Sequence, residues 1–594
     1  MGRDRNENEH PTGCYPLTMS RYQPIYDIAE LCAQRGVTNV VLSPGSRCAP
    51  LTLAFTRHNN LNCKTISDER SAAFIGLGMA QQTQVATALV CTSGTAVYNY
   101  APAVAEAFFS KTPLVVFTAD RPTEWVAQQD GQTIFQQSIF GNHAKGFFQL
   151  PQDYNHPDSI WAINRMVNDA LNLAMQYPQG PVHINAPFRE PLYPETSETF
   201  SYSKNINVQQ VVSSELTLSK LTRKQLTKEL SGFRKILLIG GQQHNDAPVI
   251  QFMEQVSQKH SLPFIGDIIS NLHSITNLVR HADLFLGQAS GEIKKSLQPD
   301  LLITFGESVI SKNVKLFLRQ YPAKAHWHIQ PSGIPADTFQ GLTKIIHTEP
   351  VDFFDFLDKL EKPENFERQK QSNYQKLWEV EERKVLRCLE DFFPQEEFAE
   401  LELVHELMKA LPENCSLHLA NSMSVRYANF IGLTSDKKTV SIFSNRGTSG
   451  IDGCTSTAVG HALTNNKPTL LLTGDVAFFY DRNAFWHNYP IPNLRVVVLN
   501  NHGGTIFNMI DGPASLPESE EYFVTQQSLT ARKLCEEFGF DYLKIHNRRK
   551  VQNTLKDFLD FDGSTKILEL ESSHKLNKTI FEALKLKIKK IYES

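Results

Sequence analysis

The sequence predicts an α/β protein made of three doubly wound domains with parallel sheets. Short apolar runs rich in Val, Leu, Ala and Thr alternate with helical segments along most of the 594 residues. Near-continuous apolar strands are typical of parallel sheets that helices cover on both faces. A chain of this length is also too long for one hydrophobic core, which indicates several domains.

Three groups of predicted strands divide the chain. The first group covers residues 37–42, 86–91, 113–118 and 180–184. The second covers residues 235–239, 300–305 and 326–329, and the third covers residues 416–420, 439–443, 468–473, 494–499 and 566–570. These groups predict a first domain at residues 17–195, a middle domain at residues 212–360 and a third domain at residues 401–594.

Residues 361–400 join the middle domain to the third. They are rich in Glu, Lys, Arg and Gln, and Trp378 and Val385 recur at helical spacing. This composition is typical of a solvated helix. We therefore predict an exposed helical linker here and no fourth core.

Composition and charge exclude several classes of protein. The net charge of −4 gives no bulk attraction to nucleic acid or to a membrane surface. No stretch reaches the roughly 18–20 apolar residues that span a bilayer. The nine cysteines form no CxxC pair, which argues against a zinc site and fits reduced thiols. Residues 1–16 lack the apolar centre of a signal peptide, so we expect a cytoplasmic protein.

Two pairs of residues, each with at least one polar side chain, stand at the ends of neighbouring predicted strands in the third domain. Gly474 and Asp475 follow one strand, Asn500 and Asn501 follow the next, and a short helix is predicted at 481–487 between them. Ligands of parallel sheets bind beyond the carboxyl ends of the strands, where these residues fall. We expect the glycine to let the backbone turn sharply and approach a phosphate closely.

The same segment carries oxygen ligands for a metal ion. Asp475 offers a carboxylate oxygen, Asn501 an amide oxygen and Gly503 a backbone carbonyl. Mg²⁺ prefers such hard donors and takes its remaining ligands from phosphate and water. The sequence therefore predicts a diphosphate–metal anchor, whose spacing is similar to that of the GDG…NN motif of thiamine-diphosphate enzymes. Val476 replaces the last Gly of that motif, and the alternative is that these residues only cap helices.

Glu69 is the candidate acid–base residue. It stands between a short predicted strand and an apolar helix, where burial could tune the carboxyl group for work near neutral pH. In thiamine-diphosphate enzymes a buried carboxylate bonds the aminopyrimidine ring and promotes removal of the cofactor's C2 proton. The alternative is an ordinary acidic residue at a helix N-terminus.

Six motifs extend the match over most of the chain. They are SPGSR at 43–47, DERSA at 68–72, CTSGTA at 91–96, TADRP at 118–122, NS at 421–422 followed by Arg426, and SNRGTSGIDG at 444–453. On these motifs the sequence resembles the MenD family, the 2-succinyl-5-enolpyruvyl-6-hydroxy-3-cyclohexene-1-carboxylate (SEPHCHC) synthases of menaquinone and phylloquinone biosynthesis. Acetolactate synthases and pyruvate decarboxylases share the anchor and the glutamate, but they lack this set of arginines.

The resemblance implies a fold, a reaction and an assembly. The first domain of the thiamine-diphosphate-binding fold would hold the pyrimidine, the third would hold the diphosphate with Mg²⁺ or Mn²⁺, and the middle one would be structural. The cofactor would attack 2-oxoglutarate, CO₂ would leave, and the succinyl carbanion would add to isochorismate by a 1,4-addition. A homodimer or homotetramer would place each active site at a subunit interface.

The resemblance also assigns candidate site residues. Glu69 would be catalytic, and the cofactor would be bound by Glu69, Gly474, Asp475, Asn501 and Ile451, the last bending it into a V shape. The metal ligands would be Asp475, Asn501 and Gly503. The substrates would be bound by Ser46, Arg47, Arg121, Gln132, Lys312, Ser422, Arg426, Arg446, Ile506 and Phe507. Both substrates are dicarboxylates, and arginine pairs with carboxylates in a bidentate way.

Two departures keep other functions open. Asn313 stands where the family usually has Arg, so one isochorismate contact is in doubt, and His502 replaces an Asn. A thiamine-diphosphate enzyme with another acceptor is therefore one alternative. A non-catalytic descendant of the fold is the other, although Glu69 and Asp475 are both present.

Overall fold

Three parallel sheets of six strands each organise the chain in the computed structural model. The structure describes residues 20–194, 200–212, 216–361, 365–393, 397–509 and 512–593. The polar N-terminal segment considered above, residues 1–16, lies outside these ranges. Within them, no helix combines the length and the apolar character needed to cross a membrane.

The first domain surrounds a sheet in the order β2-β1-β3-β4-β6-β5. Its strands are β1 (Asn39–Leu42), β2 (Asn62–Thr65), β3 (Thr87–Cys91), β4 (Leu114–Asp120), β5 (Phe147–Gln149) and β6 (Val182–Pro187). Its helices are α1 (Gln23–Gln34), α2 (Ala49–Thr56), α3 (Glu69–Thr83), α4 (Thr95–Asn99), α5 (Ala101–Phe109) and α6 (Pro157–Met175).

The middle domain surrounds a sheet in the order β12-β11-β10-β7-β8-β9. Its strands are β7 (Ile236–Gly240), β8 (Phe264–Gly266), β9 (Leu278–Val279), β10 (Leu301–Phe305), β11 (Ala325–Gln330) and β12 (Lys344–His347). Its helices are α7 (Lys220–Leu230), α8 (Ala247–His260), α9 (Ala282–Leu286), α10 (Gly291–Leu297), α11 (Lys312–Gln320) and α12 (Pro350–Lys359). The long helix α13 (Asn365–Phe392) follows.

The third domain surrounds a sheet in the order β14-β13-β15-β16-β18-β17. Its strands are β13 (Ser416–Leu419), β14 (Ser441–Phe443), β15 (Thr469–Gly474), β16 (Leu494–Asn500), β17 (Asp541–Ile545) and β18 (Lys566–Glu571). Its helices are α14 (Glu400–Ala410), α15 (Met423–Ile431), α16 (Cys454–Thr464), α17 (Asp475–Tyr480), α18 (Ile506–Met509), α19 (Ala531–Phe538), α20 (Val551–Phe558) and α21 (His574–Glu593).

The first and third sheets share one topology. Counted from the first strand of each domain, both have the order 2-1-3-4-6-5, whereas the middle sheet follows a different order. All paired strands among the described residues run parallel, so each sheet collects the carboxyl ends of its strands at one edge. The predicted fold class, three doubly wound parallel-sheet domains, is confirmed.

The prediction that residues 361–400 are exposed to solvent is wrong. A long helix does form there, but Trp378 and Val385 are fully buried. They belong to a hydrophobic cluster that also contains Phe285 of the middle domain and Leu403 of the third. Lys376, Arg383, Arg387 and Glu390 lie exposed on the other faces of the helix, whereas Glu382 is buried. The apolar stripe of the helix packs against both domains.

The first and third domains pack through helices α3 and α16. A Cβ atom at Gly78 would lie 2.0 Å from the Thr457 carbonyl oxygen, and one at Gly460 would lie 2.1 Å from the Ile75 carbonyl oxygen. Glycine at both positions therefore lets the two helices approach backbone to backbone. The contact fixes the position of α3, whose first residue is Glu69.

Candidate active site

A cavity of about 360 Å³ opens at the carboxyl ends of the third sheet. Four neighbouring strands, β14, β13, β15 and β16, supply the segments around it. Ten of the residues predicted for the site line this cavity: Ser422, Arg426, Arg446, Ile451, Gly474, Asp475, Asn501, Gly503, Ile506 and Phe507. Parallel strands bring these residues together although they are far apart in the sequence.

Asp475 is a buried carboxylate at the centre of the anchor. Only 1% of the residue is exposed, and its Oδ2 accepts a hydrogen bond of 2.7 Å from Gln527 Nε2. Burial raises the pKa of Asp475, while hydrogen bonds from Gln527 and from the backbone N–H groups of Val476 and Gly503 oppose that rise. A buried acid of this kind is stabilised by a cation placed beside it.

Two predictions about this segment are corrected. Gly474 makes no sharp turn, since its φ of −83° and ψ of 161° are extended and β15 runs directly into α17. The helix predicted at 481–487 begins earlier, because α17 spans Asp475–Tyr480 and a 3₁₀ turn covers Arg482–Phe485. A Cβ atom at Gly474 would meet no protein atom within 4 Å, so its absence leaves free space along the cavity.

Asn501 presents a free oxygen to the same cavity. Its Nδ2 donates a 2.7 Å hydrogen bond to Glu400 Oε1, whereas its Oδ1 is buried and has no hydrogen-bond partner. Buried polar atoms almost always have a partner, so an unpaired oxygen here indicates a ligand. The donor set of carboxylate, amide oxygen and backbone carbonyl fits a hard divalent cation bound to a diphosphate.

Sequence reasoning missed Glu400. It is the last residue of the predicted linker, yet in the structure it begins α14, has no exposed surface and lines the cavity. Burial raises the pKa of Glu400 to about 7, and the hydrogen bond from Asn501 opposes this rise. Gln527, the partner of Asp475, was missed as well. No signal in a single sequence separates either residue from surface polar residues.

Two arginines line the same cavity as the anchor. Arg426 Nη1 donates to the Ser422 carbonyl oxygen at 2.6 Å, and Arg446 Nη1 donates to Asn421 Oδ1 at 2.7 Å. Burial lowers the pKa of both guanidinium groups, and the charge of Arg426 adds to this effect on Arg446. Asp283 faces Arg426, and burial raises the pKa of that acid to about 6. Arg446 Nε is buried without a partner, so the pair retains the capacity to bind an anion.

The backbone has an unusual conformation at Ser422, the residue that Arg426 contacts. Ser422 has a φ of +69°, which is a rare conformation for a residue other than glycine. It immediately precedes α15, and its side chain makes no capping hydrogen bond to that nine-residue helix. Strained residues persist where the surroundings hold them in place, often at functional sites.

Glu69 belongs to a second group of predicted site residues, which lies at the carboxyl ends of the strands of the first sheet. It follows β2 and is the first residue of α3, and Asn99 Nδ2 donates to its Oε2 at 3.2 Å. The expected burial of Glu69 is wrong for a single chain, because the residue is only half-buried there. The helix start projects from the edge of the sheet, and the described residues of the chain leave it partly uncovered.

Ser46, Arg47, Arg121 and Gln132 belong to this second group by position. Ser46 and Arg47 follow β1, and Arg121 follows β4. Arg121 Nη2 donates to the Gly131 carbonyl oxygen at 2.9 Å, which places it beside Gln132. Arg47 is buried and donates to the Phe188 carbonyl oxygen at 2.9 Å. None of these four residues lines the cavity that contains Asp475.

Lys312 lies apart from both groups. It is exposed at the first residue of α11 in the middle domain. Its neighbour Asn313 is bound to its own domain, since its backbone N–H donates to Asp283 Oδ1 at 2.7 Å and its Nδ2 donates to the Asp283 carbonyl oxygen at 2.8 Å. Asn313 therefore has a local structural role.

Comparison with known proteins agrees with this geometry. Residues 26–143 match the family described as "Thiamine pyrophosphate enzyme, N-terminal TPP binding domain", and residues 207–419 match "Middle domain of thiamine pyrophosphate". A 2-succinyl-5-enolpyruvyl-6-hydroxy-3-cyclohexene-1-carboxylate synthase of Cytophaga hutchinsonii is 45% identical over 573 residues, covering 96% of this chain and all of that protein.

Two other proteins with the same printed name show similar coverage. The Flavobacterium johnsoniae protein is 37% identical over 91% of this chain and 95% of its own length. The Bacteroides fragilis protein is 36% identical over 90% of this chain and 93% of its own length. The chain therefore belongs to the thiamine-pyrophosphate enzymes and, within them, to the MenD family of SEPHCHC synthases.

Proposed function

We propose that this chain is a thiamine-diphosphate-dependent carboligase. It decarboxylates 2-oxoglutarate and adds the succinyl unit to isochorismate, which forms SEPHCHC for menaquinone or phylloquinone biosynthesis. One observation carries the proposal: Arg426 and Arg446 share a cavity with Asp475 and Asn501. A diphosphate–metal anchor and a dicarboxylate-binding pair thus face the same space.

The anchor would hold the cofactor and its metal. Asp475, Asn501 and the Gly503 carbonyl are proposed as ligands of Mg²⁺ or Mn²⁺, and Gly474 leaves room for the diphosphate. Bound thiamine diphosphate supplies a nucleophilic carbon and an electron sink for decarboxylation. Ile451 lines the cavity and would support the bent form of the cofactor.

The arginine pair would select and orient the substrate. Arg426, with Ser422 at its side, is proposed to bind the distal carboxylate of 2-oxoglutarate, and Arg446 lies close by. Bidentate pairing fixes the direction of the carboxylate as well as its charge. Ile506 and Phe507 would form an apolar wall that limits access of water to the reacting carbon.

A second subunit would complete the site. Glu69, with Ser46, Arg47, Arg121 and Gln132, lies outside the Asp475 cavity of its own chain. We propose that these residues, with Lys312, face the cavity of a partner in a homodimer or homotetramer. Exposed aromatic side chains in the same domain support a covered surface: Tyr98 is 55% exposed, Trp125 51% and Phe135 74%. Glu69 would then be enclosed and could act on the aminopyrimidine.

A cytoplasmic location is proposed with this function. The eight cysteines among the described residues are free thiols. Thiols that persist without pairing fit a reducing compartment.

An assay of the purified protein tests the proposed reaction. The mixture contains thiamine diphosphate, Mg²⁺, 2-oxoglutarate and isochorismate, and the loss of isochorismate absorbance is followed. We expect consumption that requires all four components and that Glu69→Gln abolishes. No consumption by the wild-type protein would contradict the proposal. Turnover with another 2-oxo acid in place of 2-oxoglutarate would instead favour a different thiamine-diphosphate carboligase.

A further inference from the structure

Glu400 lies against the metal anchor without belonging to it. Its Oε1 accepts a 2.7 Å hydrogen bond from Asn501 Nδ2, and the Tyr427 side chain also interacts with the carboxyl group. We infer that Glu400 is a positioning residue that holds the Asn501 amide with its oxygen toward the metal. This inference rests on the proposed function, because it assumes that Asn501 is a metal ligand.

The orientation of Asn501 decides whether it can bind a cation. The two ends of an amide have almost the same shape, but the oxygen accepts and ligates while the NH₂ group only donates. A rotation of 180° about the last side-chain bond would point the NH₂ group at the cation. A carboxylate oxygen accepts hydrogen bonds and so pairs with Nδ2. Glu400 therefore favours the orientation that leaves Oδ1 free.

Glu400 is itself held in place from two sides. Its backbone N–H donates to Asn577 Oδ1 at 3.3 Å, and Ser572 Oγ donates to Oε1 at 3.4 Å. Asn577 Nδ2 in turn donates to Ser572 Oγ at 2.9 Å. These contacts connect the start of α14, the end of β18 and helix α21 to the residue that follows β16. A network fixed on helices and strands positions a ligand more closely than a mobile loop does.

Packing alone does not explain an acid at this position. The residue has no exposed surface, and its carboxyl group lies among Asn501, Ser572 and Tyr427, none of which carries a charge. Burial of an acid without a positively charged partner costs free energy, and an apolar side chain of similar size would avoid that cost. Groups that hydrogen-bond metal ligands from behind fix the orientation of those ligands, and the loss of such a group lowers metal affinity.

Metal binding by variants of the full-length protein tests the inference. Mn²⁺ is titrated into protein saturated with thiamine diphosphate, and free Mn²⁺ is measured by electron paramagnetic resonance. We expect Glu400→Ala to raise the Mn²⁺ dissociation constant about 10- to 100-fold. Glu400→Leu fills the volume and should show the same loss if the alanine variant folds poorly. Glu400→Gln keeps an amide oxygen for Asn501 and should retain most of the affinity.

Glu382→Gln is the matched control. Glu382 is also a buried carboxylate, but its partner is His281 and it is not part of the cavity. We expect this variant to lose stability and to bind Mn²⁺ as the wild type does. In the assay, Glu400→Ala should need more Mg²⁺ for half-maximal rate and should recover its kcat at saturating Mg²⁺.

The outcomes separate the inference from the proposed function. If the wild type binds Mn²⁺ and Glu400→Ala and Glu400→Leu bind it equally well, the positioning role is overturned while the proposed function stands. Equal losses in Glu400→Gln and Glu400→Ala would also overturn the role, because hydrogen-bond acceptance would then not matter. If the wild type itself binds no Mn²⁺ with the cofactor, both the proposed function and the inference are overturned.

Discussion

The Glu106 carboxylate of the first domain binds the backbone of Thr448 in the third. Glu106 is buried in α5 and accepts hydrogen bonds from Thr448 N at 2.6 Å, from Thr448 Oγ1 at 2.7 Å and from Gly447 N at 2.8 Å. The loop that carries Arg446 is thus fixed by a residue from another domain. The position of this arginine depends on how the domains dock.

Glu106→Ala should weaken substrate binding. The change leaves buried N–H groups unpaired, at a cost of about 1–3 kcal/mol for each group that water cannot reach. We expect a lower melting temperature and a higher KM for 2-oxoglutarate, with a smaller change in kcat. Thr448→Val, which removes only the hydroxyl donor, is the control and should show a weaker effect in the same assays. An unchanged KM in Glu106→Ala would contradict the role of this contact.

Mixed subunits should reveal where Glu69 acts. Glu69→Gln and Asp475→Ala should each be inactive alone. If each site takes Glu69 from one chain and Asp475 from the other, random pairing of the two variants restores one intact site per mixed dimer. About one quarter of the wild-type activity should then return after mixing and refolding. No recovery, despite subunit exchange shown by mass spectrometry, would place Glu69 and Asp475 in the same chain.

Arg426→Lys should reduce selectivity for a dicarboxylate. Lysine keeps the charge but loses the planar, two-pronged donor. Loss of a charged hydrogen bond costs about 1.5–3 kcal/mol, so kcat/KM for 2-oxoglutarate should fall roughly 10- to 150-fold. The monocarboxylate 2-oxobutyrate serves as the control substrate, since it lacks the distal carboxylate. Equal losses with both substrates would show that Arg426 does not contact that group.

The buried pair of His281 and Glu382 should give stability that depends on pH. His281 Nδ1 lies 2.7 Å from Glu382 Oε1, and its Nε2 contacts the Ile431 carbonyl oxygen at 2.9 Å. Burial opposes ionisation of both groups. The charge and hydrogen bond of each partner outweigh it, so the pKa of Glu382 is lowered and that of His281 is raised. The pair joins the middle domain, the long helix α13 and the third domain.

The two pKa shifts define the expected pH window. The contribution of Glu382 is complete above pH 4.5 and is lost as pH falls through its lowered pKa. The contribution of His281 is complete below pH 6.5 and is lost as pH rises through its raised pKa. Glu382→Gln should therefore reduce the free energy of unfolding most between these values, by about 3–5 kcal/mol. Urea unfolding at several pH values measures it, and a difference that does not vary with pH would contradict the prediction.

Strands in the interior of each sheet could be predicted from sequence, whereas five strands at or near the edges could not. β3, β4, β10, β15 and β16 are buried on both faces and form continuous apolar runs. β5, β8, β9, β12 and β17 were missed, because they are very short or carry exposed polar residues. Hydrophobic pattern reports burial, so it weakens where a strand meets solvent.

The residues of the candidate site could likewise be predicted only in part from the sequence. Asp475 and Asn501 could be identified because they follow strong strand signals and match a known spacing. Glu400 could not, because it stands at a helix start after a charged stretch and only the folded chain brings it to Asn501. Trp378 was predicted to be exposed because the residues around it in the sequence are mostly charged, whereas in the structure it belongs to a buried apolar stripe of α13.

The backbone contact between α3 and α16 limits how this protein can be recombined with its relatives. Where Gly78 faces Thr457 and Gly460 faces Ile75, no side chain stands between the helices to absorb a mismatch. A chimaera with one crossover in the middle domain takes α3 from one homologue and α16 from another, so it brings two unmatched helices into this contact. Exchange of the middle domain alone, with both crossovers between α3 and α16, keeps the two helices from one parent.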